Sequence, residues 1–315
     1  MSLLSTSETV AGQKPAAHRG LTTRQREMIA GYLFVAPDAL GLLVFIGLPM
    51  ILALGISVFE VDGFGSFRFV GLGNYSKMLV DPLFWSSLRV TLSFTVMLVP
   101  LLYVTGLGLA LLVQRTSKVN TVLRAMFFAP QMVSLVVVAL VFQLMVVDKL
   151  GVIPRSFSMF GVPGLSLLGN PNLALFTVTA AAVWFLMGFY MLIFLGGLQD
   201  IPREYYEAAK IDGAGRAQSF WFITLPLLRP TSFFVLIVST VAAVTGAQAF
   251  DLVYVMTKGG PANSTSLLIS YIYQQAFQYS AFGYASAIAT LLVVLLLVIT
   301  VFFYLITKGG RFQYD

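Results

Sequence analysis

Cysteine is absent from this 315-residue chain and histidine occurs once, at His18. Disulfide frameworks, thiol nucleophiles and Cys/His metal sites are thereby excluded. Charge is scarce as well: Asp, Glu, Lys and Arg make up 10% of the residues against 58% hydrophobic, and the mean hydropathy is +0.89. Such a composition is far from that of a soluble domain and close to that of a polytopic membrane protein. The net charge of +6 is spread through short loops rather than massed on one face, which excludes a nucleic-acid partner and fits a membrane orientation signal. No G-x-x-x-x-G-K-[ST] phosphate loop is present, so ATP hydrolysis is not expected from this chain. No metal site is expected, and no paired acids lie within the apolar runs to support acid–base chemistry. An enzyme is therefore not the expected reading.

What is present is a series of long apolar runs. A membrane-spanning helix needs about 20 apolar residues, and six stretches qualify: Gly31 to Phe59, Val90 to Val113, Ala125 to Val147, Leu173 to Leu198, Thr231 to Phe250 and Gly283 to Thr307. Only Asp38 places a charge inside them, and it reads as a solvated or backbone-bonded acid near a span end. Prolines at positions 37, 49, 100 and 130 each delete a backbone hydrogen bond and predict kinks. Kinked bundles can enclose a cavity, although membrane helices also simply tolerate proline. Gly106 with Ala110, and Ala181 with Gly188, suit close helix contacts in lipid. The expected architecture is an all-α membrane protein of six transmembrane helices. A polar tail over residues 1–30 precedes the membrane domain of residues 31–307, and a short tail of residues 308–315 follows it. The N-terminal tail lacks the pattern of a cleaved signal peptide.

Orientation follows from the basic residues. With the N-terminus cytoplasmic, thirteen of the 19 Lys and Arg fall inside and six outside, as the positive-inside rule requires. Both tails are then expected in the cytoplasm, with the chain crossing the membrane several times. Three outer segments are expected. The first, Glu60 to Arg89, mixes turn formers and aromatics; the second, Asp148 to Asn172, is rich in Gly and Pro. The third, Asp251 to Phe282, has a turn at Lys258-Gly259-Gly260-Pro261 and a short helix over Leu267 to Phe277, with exposed glutamines at Gln274 and Gln275. Asp251 is expected to cap or pair at the outer surface.

One inner stretch stands apart, residues 200–230 between spans four and five. Arg203, Glu204, Glu207, Lys210, Asp212 and Arg216 fall within fourteen residues, so this segment belongs in water beside the membrane. Pro202 suits a first helical turn, with Asp200 upstream favouring the positive helix end, and the helix should run to Ile211. Asp212-Gly213 should break it, with Asp212 capping a second helix. That helix carries Arg216, Phe220, Ile223 and Leu227 on one stripe and should close at Leu225-Pro226. Ala208 and Ala209 are small enough to let another surface approach. An interfacial loop joining two spans would read similarly, but about thirty residues far exceeds the roughly four to six that a connection takes, which favours docking.

Glu207-Ala208-Ala209, three residues, Gly213, nine residues, Ile223, one residue, Leu225-Pro226 resembles the EAA loop of permease subunits of binding-protein-dependent ABC importers, with every named position at the family spacing. Asp212-Gly213-Ala214 and Tyr205-Tyr206 are similar to the carbohydrate-uptake, maltose-type branch. So are Phe69 to Tyr75 with Asp81 to Trp85, the segment Phe250 to Val255, and Gly259 to Thr265. The resemblance covers nearly all of the chain after residue 30.

It implies that the hairpin is a coupling helix seated in a cytoplasmic ATPase dimer, with Glu207, Ala208, Ala209, Asp212, Gly213, Ile223, Leu225 and Pro226 forming the coupling site. ATP and Mg would be bound by that separate subunit, and no cofactor by this chain. A second permease subunit, of a different sequence in the usual pairing, would complete the pathway. An extracytoplasmic sugar-binding protein would deliver cargo to the outer segments, with Gly71, Asn74, Tyr75, Gly259, Gly260 and Pro261 as contact candidates. Membrane lipid would surround the assembly.

A sugar pathway needs aromatic faces and amide or hydroxyl groups, and spans three to five supply Gln131, Trp184, Tyr190, Thr245 and Gln248. Each reads equally as a polar tie between membrane helices. The alternative is an ion-coupled secondary transporter of a small polar solute. Such a protein usually keeps ionisable residues at the bilayer centre and often shows inverted repeats, and the sequence has neither.

Overall fold

The computed structural model describes residues 22–63, 65–148, 150–161, 166–246 and 248–306. Most of the expected N-terminal tail and all of residues 308–315 lie outside the described residues. The chain divides into two units, one ending at Leu52 and the other beginning at Ala53.

The first unit begins with α1 (Thr23–Leu42), whose N-terminus is closed by a capping box. Thr22 Oγ1 accepts from the Gln25 N–H, and Gln25 Oε1 accepts from the Thr22 N–H. These pairings satisfy backbone donors that a helix start leaves free. A π-helical turn (Leu43–Gly47) leads into α2 (Leu48–Ile56). The helical run Thr23–Ile56 is long and apolar enough to cross a membrane, and it starts two turns before the expected Gly31. Asp38 is exposed on it.

In the second unit, β1 (Phe59–Val61) and β2 (Phe67–Phe69) form a small antiparallel ladder pairing Phe59 with Phe69 and Val61 with Phe67. This departs from the all-helical expectation. Alternating aromatic and polar residues around a Gly-rich turn favour pairing, and Phe59 packs on both Phe67 and Phe69 with ring centroids 4.9 and 5.3 Å apart. Next come α3 (Gly73–Val80) and α4 (Pro82–Val113). The Asp81 side chain accepts from the Leu83 N–H at 2.9 Å and Pro82 occupies the first turn, where it lacks no needed donor. The second span therefore begins eight residues before the expected Val90. At 32 residues it is about 48 Å long against a bilayer core of about 30 Å, longer than one perpendicular crossing needs.

The third expected span is broken. α5 (Lys118–Phe128), a 3₁₀ turn (Ala129–Met132) and α6 (Leu135–Val146) bend by 97°. The helical path runs through Pro130 as far as Met132 and breaks at the extended Val133, so in place of the kink expected at Pro130 there is a corner three residues on. Five helical stretches among the described residues are long and apolar enough to cross a membrane, and the bent pair makes a sixth if counted as one span. A short helix, α7 (Val152–Met159), precedes α8 (Pro171–Gln199). α9 (Arg203–Ile211), α10 (Arg216–Ser219), a π turn (Phe220–Thr224) and α11 (Leu225–Leu227) form a helical hairpin. α12 (Arg229–Thr245) and α13 (Ala249–Met256) follow, interrupted at Gly246 with φ +64°. The span thus extends past the expected Phe250, and Asp251 lies in the first turn of α13 rather than in a loop. α14 (Leu268–Tyr273), a π turn (Gln274–Gln278) and α15 (Phe282–Ile306) complete the described chain.

The core of this unit is the α4–α8 pair with α12 against α4 and α13 against α6. Lipid tails are as apolar as leucine, so these helices are held by close packing and polar ties rather than by water exclusion. A Cβ on Gly106 would lie 2.9 Å from Tyr190 Cβ, and one on Gly188 would lie 2.0 Å from the Phe127 carbonyl oxygen. Ala110 and Ala181, their expected companions, are fully buried. Tyr103 and Ser232 share a hydroxyl hydrogen bond of 2.8 Å that ties α4 to α12.

Candidate functional site

The helical hairpin is set between α8 and α12. Asp200 takes the C-cap position of α8, and Pro202 the N-cap position of α9 rather than its first turn. Glu204 near the start and Lys210 near the end of α9 both complement the helix dipole. At the far end Gly213 adopts φ +78°, a conformation that costs a side chain but not glycine. The reversal leaves few carbonyls idle: Asp212 N–H donates to Ala208, Gly213 N–H to Lys210 and Ala214 N–H to Ala209.

The cap of the second helix differs from expectation. Gly215 occupies the N-cap, and its N–H donates to Gln218 Oε1 at 2.8 Å, so Asp212 stays exposed at the turn. Nor does Leu225-Pro226 close this helix, which continues to Leu227. The π turn just before it, in which Leu225 N–H donates to the Phe220 carbonyl, shifts the register, so that the proline ring meets no 3.6-period partner. Tyr206 and Thr224 share a hydrogen bond of 3.0 Å across the hairpin, and Thr224 also donates to the Ser219 carbonyl. Two short helices that are individually marginal are thereby locked as one body.

The outer surface of this body is chemically distinctive. Glu207, Ala208, Asp212 and Gly213 are exposed. Ile211, one turn on from Glu207 and Ala208, is 88% exposed, and on the second helix Trp221 (62%) and Phe222 (80%) are exposed as well. Ala209 turns inward and is buried, while Ile223, Leu225 and Pro226 are half-buried at the base. A carboxylate, a small residue and uncovered apolar side chains on one compact hairpin offer a surface that another chain can cover. A cleft of about 240 Å³ lies behind it, among Gly197, Asp200, Pro202, Tyr205, Pro230 and Thr231.

The pathway candidates fall into two groups. Gln131 Nε2 donates to the Phe185 carbonyl at 2.9 Å, tying the 3₁₀ turn to α8. Trp184, next to Phe185, is 42% exposed and packs on Phe142 of α6 with ring centroids 5.2 Å apart. Tyr190 is 1% exposed against α4 and offers no face to a cavity within this chain. Thr245 ends α12, its hydroxyl donating to the Val241 carbonyl at 2.7 Å, and Gln248 occupies the N-cap position of α13. These two flank the Gly246 break.

The end of the unit opposite the hairpin holds the remaining candidates. Asn74 is 7% exposed, and its Nδ2 donates to the carbonyls of Ser57 and Phe59, both at 2.8 Å. Tyr75 and Ser57 share a hydroxyl hydrogen bond of 2.8 Å. These two side chains thus fasten α3 to the start of β1, and Gly71 sits half-buried with φ +55°. Gly259 is buried with φ +86°, Gly260 and Pro261 are half-buried, and Thr265 Oγ1 donates to the Gly260 carbonyl. Gln274 and Gln275 are half-buried rather than exposed.

A cluster not anticipated from the sequence binds this end together. Tyr271 of α14 and Tyr284 of α15 both donate to Asp81 Oδ2 at 2.5 Å. Burial alone would raise the Asp81 carboxyl, but hydrogen bonds from the two hydroxyls and from the Leu83 and Phe84 N–H groups outweigh it and hold the group below the usual carboxylate range. Burial, then the Asp81 hydrogen bond and charge, push the Tyr271 hydroxyl well above its ordinary value. The Asp81-Pro82 pair announces a helix start in the sequence. Its tyrosine partners lie 190 and 203 residues away and leave no local signal.

Residues 102–309 match the family described as binding-protein-dependent transport system inner membrane component. Over 293 residues the chain is 38% identical to the trehalose/maltose transport system permease protein MalF of Thermococcus litoralis, covering 93% of this chain and 97% of that protein. It is 35% identical over 280 residues to the probable ABC transporter permease protein YesP of Bacillus subtilis, covering 88% and 89%. To the lactose transport system permease protein LacF of Rhizobium radiobacter it is 34% identical over 278 residues, covering 86% and 92%. The fold is shared with a crystal structure of a bacterial ABC transporter that imports the acidic polysaccharide alginate, with a TM-score of 0.77 at 21% identity, covering 90% and 96% of the two chains.

Proposed function

Because this chain belongs to the binding-protein-dependent transport system inner membrane component family, we propose that it is the permease subunit of an ATP-driven sugar importer and that its 203–227 hairpin is the surface through which ATP hydrolysis drives it. The observation that carries this reading is the exposed Glu207-Ala208 edge, with Ile211 uncovered one turn on, presented on a hairpin that is closed by its own hydrogen bonds and also exposes Trp221 and Phe222. Apolar and aromatic side chains that a partner can desolvate, on the same small body as a charge, are the composition of an interface hot spot.

In this reading Glu207 pairs with a basic or polar group in a cleft of a separate ATPase, which binds ATP and Mg. The apolar side chains fill that cleft. Closure of the ATPase dimer moves the hairpin, and α8 and α12, between which it is strung, carry the motion into the bundle as a two-state switch. A second permease subunit supplies the other half of the pathway. The hairpin end faces the cytoplasm, as the basic residues favour. The opposite end then meets a sugar-loaded binding protein through the exposed side chains around the Asn74 and Gly259 supports. The saccharides in the names of MalF and LacF support a carbohydrate cargo. Family membership disfavours the ion-coupled alternative.

The test is reconstitution with the ATPase, the partner permease and the binding protein in liposomes. Glu207→Ala is expected to lower ATP-dependent uptake at least about tenfold, the scale of removing one hot-spot residue, with the subunits still assembled. ATP-dependent uptake unchanged in that variant would refute the coupling role.

A further inference from the structure

At the end opposite the hairpin, α13, α14 and the π turn after it enclose a cleft of about 220 Å³ lined by Tyr254, Lys258, Ser270, Tyr273, Gln274 and Gln278. Its wall is a small aromatic stack. Phe250 and Tyr254 lie nearly parallel, 5.4 Å apart at 21°, and Tyr273 closes across them at 5.3 and 5.8 Å. Tyr254 lines the cleft and is 44% exposed, so the stack is reachable from it.

The polar groups have a common character. Ser270 is 6% exposed and its Oγ has no hydrogen-bond partner, a state that buried hydroxyls rarely keep unless something else supplies the partner. Lys258 is exposed with φ +51°, and its N–H donates to the Val253 carbonyl at 2.7 Å, which fixes its place at the cleft mouth. No carboxylate lines the cleft among the described residues. An aromatic face, two amides, hydroxyls and one ammonium suit a polyhydroxylated ring bearing a negative charge. The volume lies below the roughly 300–1,000 Å³ of sites for drug-sized ligands and suits a single ring rather than a longer saccharide.

We propose that this cleft is a subsite for one acidic sugar unit at the end opposite the hairpin, separate from the Gln131–Trp184 and Thr245–Gln248 groups, with Tyr254 stacking the ring and Lys258 selecting its anionic substituent. It rests on the carbohydrate reading above and deepens it. The amides of Gln274 and Gln278 would bond ring hydroxyls.

The probes are glucuronate and glucose, which differ at one carbon in having a carboxylate or a hydroxymethyl group. Saturation-transfer NMR on the complete transporter in nanodiscs should give a saturable glucuronate signal that exceeds the glucose signal. Lys258→Gln should weaken glucuronate about fivefold, the scale of one solvent-exposed ion pair, and leave glucose unchanged. Tyr254→Ala should remove both signals and Tyr254→Phe should restore them, with co-elution of the subunits showing that each variant is assembled. Equal signals from the two sugars, or a glucuronate signal indifferent to Lys258→Gln or Tyr254→Ala, overturns the subsite. ATPase stimulation by a sugar-loaded binding protein, measured on the same wild-type complex, separates the two readings. Stimulation without a glucuronate signal removes the subsite alone, and no stimulation by any sugar-loaded binding protein removes the carbohydrate reading beneath it.

Discussion

Replacing Asp81 by Asn isolates what its charge does at the end opposite the hairpin. Asparagine has nearly the same shape and is itself a good N-cap, so the bond from the Leu83 N–H is expected to persist. What changes is the group facing Tyr271 and Tyr284: with the amide oxygen kept on the Leu83 N–H, an NH2 replaces Oδ2, so each hydroxyl gives up a charged acceptor and turns to accept a neutral N–H bond instead. A hydrogen bond to a charged group contributes about 1.5–3 kcal/mol and a neutral one about 0.5–1.5 kcal/mol, so the loss is roughly 1 kcal/mol for each tyrosine. With two tyrosines on one oxygen, Asp81→Asn should cost about 2 kcal/mol. At the size of this unit that corresponds to roughly 4–8 °C in Tm.

The assay is thermal unfolding of the purified transporter, repeated in a Tyr271→Phe/Tyr284→Phe background. There Asp81→Asn should cost much less, because the bonds it weakens are already gone. An equal cost in both backgrounds would refute the reasoning, since the charge would then act through something other than the hydroxyls. The pH dependence has a definite sign. The folded carboxyl lies below its ordinary value, so its contribution is present above the unfolded pKa of about 3.9 and is lost as pH falls through the lower folded value. Wild type and Asp81→Asn should therefore differ by a constant amount at neutral and mildly acidic pH and converge only in strong acid.

Gly188→Ala should destabilise the unit by at least about 1–3 kcal/mol, the range for overpacking. The added Cβ would meet backbone atoms of Phe127 and Phe128 at 2.0–2.9 Å rather than a flexible side chain, and a drop in unfolding temperature or in folded yield measures the effect. Gly213→Val should cost about 1–2 kcal/mol from its left-handed backbone alone, because a Cβ there meets nothing within 4 Å. If the turn matters for docking, the loss of ATP-dependent uptake should exceed the loss of stability, and Gly213→Asn, which tolerates that conformation, should recover most of both.

Much of the architecture was legible because lipid imposes one rule on every span, that the backbone satisfies itself within about 20 apolar residues. The long apolar runs, the charged inner stretch and the Gly213 reversal follow from composition and local stereochemistry. Three departures share another cause. The 97° corner after Met132, the continuation of the helix through Pro226 and the short β1–β2 ladder depend on whether distant neighbours satisfy a freed backbone group or cover an aromatic face. Proline permits a kink, a corner or an uninterrupted helix, and the packing around it selects among them.

The sequence by itself determined the membrane class, the spacing of Glu207, Gly213 and Pro226, and hence the family, because each rests on residues near one another in the chain. Only the tertiary structure decided which side chains of that motif are free. Glu207 and Ala208 face outward while Ala209 is buried, since one helix turned back on another hides half of every motif it carries. Only the tertiary structure, too, moved Asn74 and Tyr190 from candidate contacts into packing and brought Asp81 to Tyr271 and Tyr284. A hydrogen bond across some 200 residues of chain is a fact of the folded bundle, with no pattern in the sequence to announce it.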